Sequence, residues 1–256
     1  MHFLFIPSEL TPAEKTYVQS LLTLFPLTPV TQPPEEAYLA LYNQALSLFL
    51  PGFSKPLSLN FSQGALRKRL QGGQKELLLQ AVNPKKYCFL CDATGGLGRD
   101  ALILARNSEK LLLFERHPML AALLSDALKR ARQDLVLLPS VERIKFVFTS
   151  FTKSTSLLQQ DPPEVIYLDP MFPIRHKSAA VKKEAQFLQA LTAKDNDQDS
   201  LLPFALQWAK ERVVVKRPLH APPLAAHLPS FTLKSKTVRF DAVSYTHLTL
   251  PTSGLV

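Results

Sequence analysis

The chain has 256 residues, 46% of them hydrophobic and 20% charged, enough for one α/β domain of ordinary size with a smaller appendage and too apolar for a disordered polymer. Lys and Arg outnumber Asp and Glu by 30 to 21, giving a formal net charge of +9, and a surplus of that size favours an anionic partner, nucleic acid foremost. No apolar run approaches the ~20 residues that a bilayer requires. The apolar start over residues 1–6 has no basic lead and is followed by Pro7 and Glu9, a poor signal peptide; a cytoplasmic protein without a membrane partner is expected.

Residues 1–83 read as a small, mixed N-terminal subdomain. Prolines are dense at Pro26, Pro29, Pro33, Pro34, Pro51 and Pro56, and short helical patterns are expected between them. One such helix is expected over 35–50, where Ala37, Leu41, Ala45 and Leu48 share a face. The stretch 55–86 carries seven Lys/Arg against the single acid Glu76, and includes Arg67, Lys68 and Arg69. From Tyr87 onward strands and helices alternate. Strands are expected at 88–92, 111–115, 144–149, 165–169 and 212–216, with helices at 99–106, 118–132, 178–191 and 201–210. This alternation implies a parallel sheet with helices on both faces, and near-continuous apolar strands such as Val213-Val214-Val215 suit burial on both sides. Two successive strands, 231–236 and 237–243, should close the sheet with an antiparallel hairpin, the arrangement of the common Rossmann-like class I methyltransferase fold. The domain is placed at 84–243. Cys88 and Cys91 lie on one strand, point to opposite faces and are expected to be buried small hydrophobes, not a metal or redox pair.

The strand at 88–92 runs into Asp92-Ala93-Thr94-Gly95-Gly96-Leu97-Gly98-Arg99-Asp100 and a helix. Gly96 and Gly98 allow a tight turn and a close ligand, and the helix start offers unpaired N–H groups. Glu115, 19 residues after Gly96 and at the end of the next strand, can accept both hydroxyls of an adenosine ribose. Asp92 before the loop repels a pyrophosphate but suits the ammonium of a methionine moiety, so the loop favours S-adenosylmethionine over a nicotinamide dinucleotide. Asp169-Pro170-Met171-Phe172-Pro173 follows the strand at 165–169, and ligands of such sheets sit at the carboxyl ends of strands. The turn resembles the Asp/Asn-Pro-Pro-aromatic signature of enzymes that methylate exocyclic amines of bases. Asp169 and a backbone carbonyl near Pro170 can take the two N–H bonds of a poorly nucleophilic guanine N2 and aim it; Phe172 can stack on the base. Basic residues Arg175, Lys177, Lys182 and Lys183 follow, and Lys216 and Arg217 end the fifth strand. With Arg67, Lys68 and Arg69 they are candidate phosphate contacts. No His/Cys/carboxylate constellation suggests a metal.

Taken together, the run from Asp92 to Asp100, Glu115-Arg116 with Pro118, Tyr167 to Pro173, Lys177-Ser178-Ala179, Val181-Lys182-Lys183-Glu184 and Arg212 to Pro218 resembles the bacterial 16S ribosomal RNA guanine-N2 methyltransferases of the RsmJ family, over roughly residues 59–241. The resemblance implies methylation of one guanine N2 in small-subunit RNA, free or in the subunit, in the cytoplasm. It places cofactor contacts on Arg99, Asp100, Glu115, Arg116 and Asp169. The family's pair of serines after the third strand corresponds to Ser150 and Phe151, so one hydroxyl is lost there and a backbone N–H would have to serve. An adenine-N6 or protein-amine methyltransferase, or a non-catalytic RNA-binding module on the same fold, is the alternative. Residues 244–256 match nothing in the family and look like translated adapter DNA replacing a native end.

Overall fold

A computed structural model describes residues 1–71, 76–84, 89–170, 183–192 and 198–244. The N-terminal part begins with a strand–helix–strand unit: β1 (Phe3–Phe5), α1 (Pro12–Leu24) and β2 (Thr28–Val30), with β1 and β2 parallel. Helix α1 starts at a capping box, in which the Thr11 hydroxyl accepts from Glu14 N and the Glu14 carboxylate accepts from Thr11 N. Strands β3 (Tyr38–Tyr42), β4 (Ala45–Phe49) and β5 (Leu57–Ser58) complete a five-stranded sheet in the order β2-β1-β3-β4-β5.

The helix expected over 35–50 is therefore a hairpin. Its turn residues Asn43 and Gln44 both take positive φ, 51° and 61°, the conformation that matches the twist of two antiparallel strands. Of the apolar residues that mimicked a helical face, Leu41 and Leu48 fall on one face of this hairpin and Ala45, opposite Tyr42, on the other. Leu39, Leu46 and Leu48 are buried on one side, while Tyr38, Tyr42 and Phe49 stack or meet edge-on across the other.

Two short helices, α2 (Gly64–Gln71) and α3 (Leu77–Val82), lead into the main sheet. Then follow β6 (Phe89–Asp92), α4 (Arg99–Arg106), β7 (Lys110–Glu115), α5 (Pro118–Ala131), α6 (Leu138–Val141), β8 (Ile144–Phe148), α7 (Thr155–Gln160), β9 (Val165–Leu168), α8 (Lys183–Thr192), α9 (Gln198–Leu206), β10 (Arg212–Pro218), β11 (Phe231–Lys234) and β12 (Val238–Ser244). The seven-stranded order is β11-β12-β10-β9-β6-β7-β8, and β12 is the strand inserted antiparallel to the rest. The expected strands and helices fall close to these elements, with α9 starting and ending a few residues earlier than expected and α6 and α7 not expected; residues 178–182 of the helix expected at 178–191 lie outside the described residues.

The buried strands alternate between two cores. Val165, Tyr167 and Val214 join one cluster; Ile166, Leu168, Val213 and Val215 join the other. The first cluster also contains Leu4, Leu39, Leu46 and Leu48 together with Leu120 and Leu124 of α5, so the small sheet packs on the large one through a continuous apolar interior. A buried carboxylate fixes this junction. Asp126 of α5 accepts from Tyr17 Oη of α1 at 2.7 Å, from the Leu46 amide of β4 at 3.2 Å and from Arg130 Nε at 2.8 Å. Cys91 is fully buried as a free thiol; Cys88 and the tail at 245–256 lie outside the described residues.

Candidate active site

The carboxyl ends of β6, β7, β9 and β10 meet around one cavity of about 390 Å³. Its floor is the loop after β6. Asp92 turns back to accept from Thr94 N at 3.0 Å. Gly95 N donates to Phe114 O at 2.7 Å, and a Cβ at Gly95 would lie 2.7 Å from that same oxygen; only glycine lets this loop lie so close on β7. Gly96 is at φ +52°, where a Cβ would lie 3.7 Å from Thr94 O, and its N–H donates to Glu115 Oε2 at 2.7 Å. The other Glu115 oxygen accepts from His117 N at 2.7 Å. The end of β7 and the glycine loop are thus joined by one carboxylate.

The second loop hangs on the first. Asp169 N donates to the Thr94 hydroxyl at 2.6 Å, while the Asp169 side chain, 38% exposed, opens to the cavity. Lys216 Nζ lies 2.8 Å from Asp169 Oδ2 and 2.9 Å from Asp100 Oδ2. Tyr167 Oη donates to Asp100 at 2.8 Å, and Arg69 reaches the other Asp100 oxygen at 3.5 Å while binding Glu76 through two nitrogens at 2.7 and 2.8 Å.

Four carboxyl groups crowd this space, and burial separates their behaviour. Desolvation pushes Asp92 up to about 8, against the pull of the Thr94 amide, with the charges of Asp100 and Asp169 adding to the rise. Partial loss of hydration at the cavity wall raises Asp169, partly offset by Lys216. Burial also opposes ionisation of Asp100, but Lys216, Tyr167 and Arg69 outweigh it and hold this acid below its ordinary value. Glu115 is raised by burial, with the amides of His117, Gly96 and Arg116 pulling the other way. Burial works against the charged form of Lys216, yet Asp169 and Asp100 together raise it above its ordinary value.

Of the residues singled out from the sequence, Asp92, Gly96, Gly98, Arg99, Asp100, Glu115, Arg116, Ser150, Phe151, Asp169 and Pro170 all line this cavity. Arg99 is also ion-paired with Glu184, which ties α4 to α8. The Phe151 ring is buried edge-on against Phe114 and Phe204, so an aromatic core contact stands where the family carries a hydroxyl. Several of the basic candidates already have partners within the chain. Arg67 is paired with Asp134 at 2.6 Å, Arg69 with Glu76 and Asp100, and Lys216 with two carboxylates inside the cavity. Arg217 is 3% exposed and donates to Pro222 O. Acids or carbonyls thus hold each of these four cations. Lys68 is exposed on α2, and Lys183 opens α8. Phe172, Arg175, Lys177 and Lys182 lie outside the described residues.

Sequence reasoning missed Thr94, whose hydroxyl joins the two loops, and Tyr167, whose hydroxyl reaches Asp100 from a buried strand. A tyrosine among aliphatic residues in a doubly buried strand is a signal that some partner must meet its hydroxyl. Among the described residues no group of His, Cys, Asp and Glu is arranged to hold a metal, and no helix is long and apolar enough to cross a membrane.

A family model described as a putative SAM-dependent methyltransferase matches residues 21–245. A Neisseria meningitidis serogroup C (strain 053442) protein named ribosomal RNA small subunit methyltransferase J is 40% identical over 227 residues, covering 88% of this chain and 91% of the relative. A protein of the same name from Dechloromonas aromatica (strain RCB) is 44% identical over 202 residues, covering 77% and 81%. The crystal structure of a SAM-dependent methyltransferase from Neisseria gonorrhoeae superposes with a TM-score of 0.76 at 31% identity, over 96% of this chain and 97% of that one.

Proposed function

Because the chain belongs to the family of SAM-dependent methyltransferases, we propose that it methylates the exocyclic N2 of a guanine in small-subunit (16S) ribosomal RNA, with S-adenosylmethionine as donor. The observation that carries this reading is the joining of the Asp169 turn to the glycine loop through Thr94, with the Asp169 carboxylate opening into the cavity bounded by Gly96 and Glu115.

The cavity suits the donor. Its volume is that of an ordinary small-molecule site, and its lining carries four carboxyl groups, Asp92, Asp100, Glu115 and Asp169, and four cations, Arg69, Arg99, Arg116 and Lys216. Such a mixed lining suits a ligand that bears an ammonium, a sulfonium and a carboxylate together. Glu115 would hold the ribose hydroxyls, the Gly96–Gly98 backbone the methionine part, and Arg116 with the Ser150 and Phe151 backbone the adenine end. When bound, S-adenosylmethionine supplies an electrophilic methyl group.

The chain's own residues prepare the acceptor. The amine lone pair of guanine N2 is delocalised into the ring, so it must be localised and aimed. The Asp169 carboxylate accepts one N–H and the Pro170 carbonyl the other, which raises electron density on nitrogen and fixes its direction of attack. After transfer the nitrogen carries one proton too many, and the Asp169 oxygen already bonded to that proton is placed to take it. The pyrrolidine ring of Pro170 stiffens the turn, and Phe172 would stack on the base. The +9 charge of the chain supports an anionic substrate. Exposed Lys68, with Arg175, Lys177, Lys182 and Lys183, is the remaining set of candidate phosphate contacts. A ribosomal substrate would place the enzyme in the cytoplasm.

The test is methyl transfer from labelled donor to small subunits, naked 16S RNA, DNA and protein, side by side, for the wild type and Asp169→Ala. Label on a guanine N2 of the RNA, lost in the variant, is expected. Label on adenine or protein instead, or full activity of Asp169→Ala, overturns the reading.

A further inference from the structure

Strand register brings a lysine to the reacting acid. In the parallel pair of β9 and β10, Val214 lies opposite Tyr167 and Val215 opposite Leu168. The next step of this ladder sets Lys216 beside Asp169, on the face that also carries Tyr167. Helix α4 covers that face and drops Asp100 between them. The ammonium contacts Asp169 at 2.8 Å and Asp100 at 2.9 Å, and its side chain is only 25% exposed. Two of its three donors are taken. Asp100 is itself held from two further directions, by Tyr167 Oη at 2.8 Å and by Arg69 at 3.5 Å. A cation so enclosed by carboxylates gains little from a phosphate and loses two pairs by turning to one.

We propose that Lys216 is a positioning residue for amine methylation: anchored on Asp100, it holds the Asp169 carboxylate at the cavity wall in the orientation that meets the exocyclic amine. The proposal rests on the amine-methylation reading above. It also gives the N-terminal region a part in the reaction, because Arg69 of α2 braces Asp100 from outside the main sheet. Among the described residues the charged and titratable groups facing Asp169 are Lys216 from β10, Asp100 from α4, Asp92 from β6 and Tyr167 from β9. Lys216 is the one cation of that set. Its removal leaves Asp169 beside like charges, so the acid protonates at higher pH and is also free to rotate.

Lys216→Met and Lys216→Arg test this, with three readouts. In steady-state methylation, Lys216→Met is expected to lower kcat by about 100-fold, on the scale of losing one preorganised polar contact, while KM for the RNA substrate stays within about threefold. The acidic limb of its pH profile moves to higher pH by at least about one unit, and Lys216→Arg recovers at least about a tenth of the wild-type rate. Independently of activity, carbon NMR titration of aspartate-labelled protein, without donor or RNA, should show the Asp169 carboxyl titrating higher in Lys216→Met. If that variant does not fold, Asp100→Asn serves in the same titration. It removes a like charge, so the Asp169 carboxyl should titrate lower. An unmoved Asp169 titration in the folded variant overturns the proposal. So does a raised KM with unchanged kcat, the mark of a phosphate contact. A wild type that methylates no RNA would sink the functional reading alone, since the titration would still judge Lys216.

Discussion

Asp92 offers a direct test of how the cavity floor is charged. Its carboxyl is 2% exposed and rises from an ordinary 3.8 to about 8, chiefly through burial. In the unfolded chain the same group ionises near its ordinary value. Between about pH 4 and pH 8 the folded state therefore holds a proton that the unfolded state has lost, and stability falls as pH rises through this window. Moving from 3.8 to about 8 corresponds to roughly 6 kcal/mol at full ionisation, a ceiling that rearrangement of nearby charges reduces. Asp92→Asn keeps an oxygen to accept from Thr94 N but cannot ionise. Without cofactor, the variant should match the wild type within about 1 kcal/mol near pH 4.5 and exceed it by at least about 2 kcal/mol at pH 8.5. Urea unfolding followed by circular dichroism across that range measures the difference. A gap that fails to widen with pH, or a variant less stable than wild type at pH 8.5, would refute the reasoning.

Three further outcomes are expected. Asp126→Ala removes the acceptor shared by Tyr17 Oη, Leu46 N and Arg130 and should cost about 2–4 kcal/mol, read as a lower thermal midpoint; a loss under about 0.5 kcal/mol would show that the junction does not depend on it. Gly98→Ala forces a side chain onto φ +72° and sets its Cβ 2.4 Å from Leu124 Cδ1, so a loss of about 1–3 kcal/mol is expected in the same melt. Thr94→Val deletes the acceptor for Asp169 N. Its kcat should fall by about tenfold while donor affinity, measured by calorimetry, stays within about threefold; equal losses in both would mean the hydroxyl serves the glycine loop alone.

Local pattern made the main sheet legible. Each strand from β6 to β10 is a short apolar run bounded by a turn signal, and β7 ends on the acid that the glycine loop then meets. The Asp169 turn could be placed beside that loop because β9 neighbours β6 in this topology. Two things escaped local pattern. The spacing of Ala37, Leu41, Ala45 and Leu48 has a helix's period, and the deciding feature was the left-handed pair Asn43 and Gln44, which reverses the chain between Tyr42 and Ala45. The partners of the cations escaped for a different reason. Arg67 finds Asp134, and Lys216 finds Asp100 and Asp169, partners that lie tens of residues away and belong to other elements. A basic tripeptide read along the chain shows its charge but not which acid has already claimed it.

The hydrogen bond from the Asp169 amide to Thr94 makes the two sides of the pocket mechanically dependent. Thr94 belongs to the glycine loop, and its hydroxyl holds the main chain of the acid. The acid that faces the acceptor is therefore one hydrogen bond away from the loop that faces the donor.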